Sequence, residues 1–293
     1  MTSDLDKHIK AGRIAAEARE YGKSLIKPGT LLVEVVEKIE EKIRKLGAEP
    51  GFPAQISLNE IAAHYCPPAD DKTEFSDQVV CLDVGVSVDG FIGDTAVSID
   101  LSGEHADLIK ASREALNNAI KILRPGLKIR EIGRVIEQTI TDHGFKPVRN
   151  LSGHGLGQYQ IHTHPSIPNY DNGDETELQD GQAIAIEPFA TNGIGMIEEK
   201  GVPTVFQLTS KRPTRSLITR NVLKEIEKYK GNPFTNRWLI QKFGLKANFA
   251  MKELRNLGCL TEHPPLVERS KGLVSQFEHS FIIKDKPIIL TQL

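Results

Sequence analysis

Residues 17–50, EAREYGKSLIKPGTLLVEVVEKIEEKIRKLGAEP, return 97 positions later as residues 114–147, EALNNAIKILRPGLKIREIGRVIEQTITDHGFKP. The gapless alignment carries ten identities, among them Pro28/Pro125, Gly29/Gly126, Glu40/Glu137 and Gly47/Gly144, and Lys27 matches Arg124 in charge. Each copy reads as a helix, a Pro-Gly break, a second helix and a glycine stop. Proline ends the first helix, and Gly47 or Gly144 supplies the left-handed residue that closes the second. Leu32, Val35, Val36, Ile39 and Ile43 fall near helical spacing, as do Ile129, Ile132, Val135, Ile136 and Ile140, so one face of each second helix is apolar. Two copies of this length are too few for a solenoid. They predict two related halves packed about a pseudo-two-fold axis.

Strand signals follow each helix pair. VVCLDVGV (79–86) and FIGDTAVSI (91–99) are rich in β-branched residues, and Val88-Asp89-Gly90 between them offers a hairpin turn. AIAIEPF (183–189) and VSQFEHSFII (274–283) predict later strands. Between those two the texture changes. Over 210–268 the chain reads as short helices at 221–230, 237–243 and 247–257, punctuated by Gly231-Asn232-Pro233, Gly244 and Gly258. The expected fold class is therefore α/β (α+β), with residues 1–209 and 269–293 in the main domain and 210–268 as a helical insertion.

Composition narrows the function. Among 293 residues, 37 Lys and Arg stand against 39 Asp and Glu, a formal charge of −2, which does not suggest a strongly basic nucleic-acid binder. No apolar run approaches the ~18 residues of a membrane helix. Met1 to Lys10 is polar and lacks a signal-peptide core. Cys66, Cys81 and Cys259 are far apart, so neither a disulfide framework nor a thiolate zinc site is indicated. The expectation is a soluble cytoplasmic protein.

The chemistry is carried by acids in apolar surroundings. Asp83 sits in CLDVG, Asp94 in IGDTA, Glu187 in AIEPF and Glu278 in QFEHS. A carboxylate inside an apolar strand must be paired, protonated or bound to a metal. Histidines add a second ligand class. His154 lies between glycines in Gly153-His154-Gly155, where backbone can bend closely around a ligand. His162 follows eight positions later, and His64 precedes His162 by 98, close to the repeat offset, so the two are expected to face each other across the pseudo-axis. His8, His105, His143 and His164 are read as ordinary surface or hydrogen-bonded residues. Four carboxylate charges and one neutral imidazole are balanced by two divalent cations, whereas one would leave uncompensated charge in a poorly hydrated place. Oxygen-rich ligation with one imidazole suits manganese, iron, cobalt or zinc, and such a pair can share a hydroxide for amide hydrolysis.

At these residues the chain resembles the methionine aminopeptidases, in their type II, short archaeal form. The segments that carry the resemblance are FPAQISLNEIAAHY, CLDVGVSVDGFIGDTAVSID, LSGHGLGQYQIHTHPSIPN, AIAIEPFAT and LVSQFEHSFII, spread over nearly the whole chain. It implies a pita-bread fold, with two pseudo-symmetric halves, a curved antiparallel sheet and outer helices. It implies two metal ions bridged by Asp94 and Glu278, with Asp83 completing one site and His154 and Glu187 the other. Glu187 would also move the proton of the attacking water to the leaving amine. His162 and His64 would contact the substrate from two sides, and Phe52, Pro53 and Ile161 would line the methionine pocket. His263 falls where the family often carries a pocket-rim tyrosine. The insertion between Glu187 and Glu278 marks the type II layout, where it is winged-helix-like, and no long charged extension precedes the core. The implied activity is removal of initiator methionine from nascent polypeptides whose second residue is small, by a monomer. Two rivals share the fold: an X-Pro peptidase or prolidase, and a non-catalytic relative associated with ribosomes or RNA. Lys211, Arg212, Arg215, Arg220, Lys224, Lys228 and Lys230 offer a basic run for transient ribosome contact, interrupted by Glu225 and Glu227.

Overall fold

The repeat is visible bond by bond. The computed structural model describes residues 3–293. Helix α1 (Asp4–Leu25) and helix α2 (Leu32–Lys45) form the first pair, α3 (Ala106–Ile122) and α4 (Ile129–Asp142) the second. Both α2 and α4 start and stop at the same 97-residue offset. Gly29 N–H donates to Phe75 O and Gly126 N–H to Leu178 O, each at 2.8 Å; Leu32 N–H reaches Thr73 O (3.0 Å) and Ile129 N–H reaches Thr176 O (2.9 Å). Gly47 and Gly144 take φ of +77° and +80° after the second helix of each pair, a conformation that costs glycine little and other residues more. Ser3 and Asp6 cap α1 reciprocally.

Each helix pair covers a sheet. In the first half, Val79–Val88 pairs antiparallel with Phe91–Asp100 and with Gln55–Leu58. The hairpin turn puts Asp89 and Gly90 at φ +53° and +89°, the paired positive values that match the twist of the strands. In the second half, five antiparallel strands run Ile288–Ile289, His279–Ile282, Ala183–Ile186, Ser152–Gly157 and Gln160–Pro168. The apolar faces of α2 and α4 are buried in two separate cores, around Ile39 and Leu82 in one and Ile136 and Ile184 in the other.

Two expected strands are broken. AIAIEPF stops at Ile186 and resumes at Phe189, and the 274–283 segment stops at Gln276 and resumes at His279. Pro188 has no N–H for a ladder, and Glu278 N–H donates instead across the halves to Ala96 O at 3.1 Å. Glu187 and Glu278 thus sit in strand interruptions rather than within strands. The seam between halves is closed by hydroxyls. Ser280 Oγ accepts from Asp94 N–H (2.8 Å) and donates to Asp94 O (2.7 Å), and Ser98 Oγ does the same for the backbone of Gln276 (2.8 and 2.9 Å).

Residues 205–263 build a third core. Three antiparallel strands, Val205–Leu208, Phe234–Thr235 and Leu260–His263, pack with α5 (Leu217–Ile226), α6 (Asn236–Phe243) and α7 (Lys246–Asn256) around Phe234, Leu239 and Leu254. Of the 1–209 segment, residues 1 and 2 lie outside the described residues. The unit is docked on α2 by a buried ion pair. Arg237 donates from Nη1 and Nη2 to Glu40 at 2.9 and 2.7 Å, and Trp238 Nε1 donates to the same carboxylate at 2.7 Å. Glu40 Oε1 also accepts from Ala54 N–H (3.3 Å), next to the segment that carries Phe52 and Gln55 into the site. No helix among the described residues is long and apolar enough to cross a membrane.

Removing one partner of a buried pair leaves an uncompensated charge. Arg237→Met should lower unfolding stability by about 3–5 kcal/mol, measured by urea titration of the metal-loaded protein. A loss below about 1 kcal/mol, the range of an exposed pair, would contradict the buried-pair role.

Candidate active site

The hairpin register sets the first two acids. Gly85 lies directly opposite Asp94, and Asp83 opposite Ala96. Opposed residues and those two apart share a face, so both aspartates project to the same side. Gly85 leaves room for the Phe52 ring, since a Cβ there would sit 2.1 Å from Phe52 Cε1. From the other half, His154 lies opposite Ala185, two residues before Glu187, and Glu278 enters from its strand break.

Ligating atoms of Asp94, His154 and Glu278 all lie within 4.8 Å of one another, in buried positions. His154 Nε2 is 3.6 Å from Glu187 Oε1 and 3.9 Å from Asp94 Oδ2. Glu187 Oε2 accepts from Gln276 Nε2 (3.1 Å), whose own Oε1 accepts from the Cys81 thiol (2.9 Å). Asp83 lies beside the cluster with Oδ1 fully enclosed and without a hydrogen-bond partner.

The electrostatics of this group call for cations. Burial pushes the Asp83 carboxyl up to about 7. Burial, and then the neighbouring carboxylates, raise Asp94, Glu187 and Glu278 well above the ordinary range. Burial, and then His162, push His154 down to about 3, so its ring is neutral. Its Nδ1 lies 3.2 Å from Gly155 O, which assigns the proton to Nδ1 and leaves the Nε2 lone pair facing carboxylate oxygens. A lone pair against a carboxylate is repulsive unless a proton or a metal cation lies between them. An enclosed acceptor without a donor, four acids and one imidazole lone pair form the donor set of a divalent metal.

The cluster opens into a cavity of about 380 Å³. One end is apolar: Phe52 and Ile161 line it and pack with Ile92, Leu156 and Ala185. Pro53, expected with them, is buried but does not face the cavity. The same cavity is bordered by His64, His162 and His263. The His162 ring stands edge-on to His154 at 4.4 Å, and the His64 ring lies 5.7 Å from His263. His64 has φ of +66° and its N–H donates to Gln55 Oε1 (2.7 Å). Burial, and then the adjacent histidines, push it down to about 4. His162 is open to solvent along the cavity, although the surrounding walls limit its hydration and lower its pKa. His64, from the first half, and His162, from the second, both border this cavity. His8 and His143 make ordinary contacts, with Ile92 O (3.1 Å) and Glu114 (2.8 Å).

Several participants carried no signal of their own in the sequence. Gln276, two residues before Glu278, orients Glu187. Ser280 ties down the Asp94 backbone. Val205, Gln207 and Pro233 close one side of the cavity. The QFEHS segment drew attention to its acid, and nothing in the wording of that segment separates a buried glutamine from an exposed one.

Residues 6–216 match the profile of metallopeptidase family M24. The methionine aminopeptidase of Methanocaldococcus jannaschii is 42% identical over 288 residues, 98% of this chain and 97% of that protein. Among solved structures, the Thermotoga maritima methionine aminopeptidase superposes with a TM-score of 0.73 at 24% identity, covering 100% and 98% of the two chains. A thermophilic Arx1 superposes at 0.85 with 14% identity, covering 98% and 90%. The fold is the pita-bread fold, and the class is that of the M24 metallopeptidases, which use divalent metal. Within that class the chain belongs to the methionine aminopeptidases.

The raised Asp83 value gives a pH signature. The unfolded carboxyl releases its proton near 3.8 and the folded, metal-free one near 7. Folded protein binds more protons in that window, so stability from this group falls as pH rises through it and is level above it. Asp83→Asn removes the dependence. In chelator-treated protein the variant should gain stability relative to wild type between about pH 4 and pH 7, read by urea unfolding. A gap that stays constant with pH would contradict the assignment.

Proposed function

We propose that this protein removes the initiator methionine from nascent polypeptides whose second residue is small, acting in the cytoplasm as a monomer. The observation that carries the reading is the juxtaposition of an oxygen-rich donor cluster with a cavity that Phe52 and Ile161 line with apolar surface. Asp83, Asp94, His154, Glu187 and Glu278 would hold two divalent cations, of cobalt, manganese, iron or zinc; four carboxylate charges favour two over one. Asp94 and Glu278, which the resemblance to the family implies as the ligands common to both ions, are also the least exposed carboxylates of the group. When bound, such cations supply Lewis acidity and make water nucleophilic at neutral pH.

The chain's own groups do the rest. Phe52 and Ile161 receive the thioether side chain, which suits apolar walls. Glu187 takes the proton of the attacking water and returns it to the leaving amine, while Gln276 orients it by donating to Oε2. His162 hydrogen-bonds the scissile amide from the open side, and His64 contacts the substrate opposite. Preference for a small second residue follows from the family. The division into a catalytic unit and an inserted unit is part of the same reading, with the expected 210–268 bounds shifted to 205–263, since Val205–Leu208 joins the inserted sheet and Leu266–Glu268 pairs with Ile197–Glu199. So is a transient ribosome contact through the basic run of the insertion, although Lys211 and Lys228 are paired with Glu227 and Glu225 at 2.9 and 2.8 Å.

Asp94→Ala and Glu278→Ala should each abolish turnover of a Met-Ala-Ser peptide and lower bound metal, measured by elemental analysis. His162→Ala should lower turnover about 100-fold with metal content kept; loss of metal there would make His162 a ligand instead. Cleavage confined to Xaa-Pro substrates, with Met-Ala-Ser untouched, would overturn the assigned activity.

A further inference from the structure

Glu187 stands in the interruption between the strands Ala183–Ile186 and Phe189–Thr191, so its orientation rests on side-chain contacts rather than on a ladder. One line of contacts begins in the other half of the molecule. Cys81 and Ser98 are opposed partners in the first-half hairpin, and both reach Gln276 of the second half. Ser98 Oγ holds the Gln276 backbone, accepting from its N–H (2.8 Å) and donating to its carbonyl oxygen (2.9 Å). The Cys81 thiol donates to Gln276 Oε1 (2.9 Å), and Gln276 Nε2 donates to Glu187 Oε2 (3.1 Å). Cys81, Ser98 and Gln276 are buried, so bulk water does not compete for these groups.

A carboxamide has a donor end and an acceptor end of nearly equal shape, and its neighbours decide which way round it sits. While Glu187 is a carboxylate it only accepts, so it calls for Nε2. Once it carries a proton it can donate as well as accept, and it no longer distinguishes the two ends of Gln276. With the amide reversed, the protonated carboxyl would donate to Oε1, and its proton would be tied up on the Gln276 side. The Cys81 thiol removes this freedom. A buried thiol keeps its proton at neutral pH and is the donor that Oε1 requires. Reversal would bring the amide N–H groups against a sulfur that accepts only weakly.

We propose that Cys81 and Gln276 form a one-way support for Glu187, presenting an N–H to the same carboxyl oxygen before and after Glu187 has taken the proton of the attacking water, so that this proton stays free for the leaving amine. This rests on the reading of Glu187 as the proton carrier. In each turnover the proton leaves the water oxygen, resides on Glu187 and ends on the amine nitrogen; neither Cys81 nor Gln276 gains or loses one. Neither residue lines the active-site cavity. Cys81 is a positioning residue that acts through Gln276, and through it the hairpin of the first half steadies the proton carrier of the second.

Three variants separate donation from packing. Cys81→Ser keeps a donor, Cys81→Val keeps bulk without a donor, and Cys81→Ala keeps neither. In metal-loaded enzyme turning over Met-Ala-Ser, Cys81→Val and Cys81→Ala should lower kcat by about three- to tenfold, the worth of one hydrogen bond, with KM and bound metal unchanged, and Cys81→Ser should recover most of the loss. Cys81→Ala keeps the test decisive if the β-branched variant overpacks the site. The bond itself is read in the infrared on metal-free protein. The S–H stretching band that Cys81→Ser removes should move to higher frequency in Gln276→Leu, which takes away its acceptor. A band unmoved by Gln276→Leu, non-donor variants as active as wild type, or a Cys81→Ser no better than Cys81→Ala would overturn the support while leaving the activity intact. A wild-type enzyme inactive on Met-Ala-Ser would instead defeat the functional reading on which the support depends.

Discussion

Four carboxylates held together away from bulk water form the constraint on which the rest of this structure depends. Asp83, Asp94, Glu187 and Glu278 cannot all ionise beside one another without compensation, and the nearby imidazole of His154 is neutral and brings no positive charge of its own. The charge must come from outside the chain. Divalent metal meets that need and turns a destabilising cluster into a reactive one. The raised carboxyl pKa values and the enclosed, unpartnered Asp83 Oδ1 are two expressions of the same frustration in the metal-free protein.

Keeping such a cluster together requires a rigid frame, and the frame is the duplicated half. Each half can bury its own helix pair over its own sheet, so each is a stable platform from which acids can be projected. The seam between them is crossed by the short ladder of Ile61–Ala63 on Leu266–Glu268, but beside Asp94 and Glu278 it is closed by other means. Ser280 and Ser98 take the place of a ladder there with hydroxyl-to-backbone bonds, and they do so at the residues that adjoin Asp94 and Glu278. The inserted unit extends the frame. Its anchor, Arg237 on Glu40, also reaches Ala54, so the docking of the insertion and the position of the Phe52–Gln55 segment share one carboxylate.

How much of this the sequence reveals depends on range. The helix pairs were legible because the period of their apolar residues is local and because Pro28, Gly29 and Gly47 recur at a fixed offset. The acids were legible because a charge in VVCLDVGV or AIAIEPF is costly wherever the strand goes. The breaks at Glu187 and Glu278 were not, since the second depends on Ala96 accepting a bond from a residue far along the chain. Arg237 and Glu40 looked like ordinary charges on amphipathic helices; their burial depends on how the third core docks. Local patterns yielded the elements and the ligand types, whereas the contacts that orient them are long-range and became visible only in the folded chain.

The most direct test is a calorimetric titration of chelator-stripped protein with manganese or cobalt in buffers of different ionisation heat. The account predicts uptake of two ions per chain with release of protons near neutral pH, since carboxyls that burial keeps protonated must give up those protons to bind metal. Uptake with no proton release, or no uptake by folded protein, would contradict it.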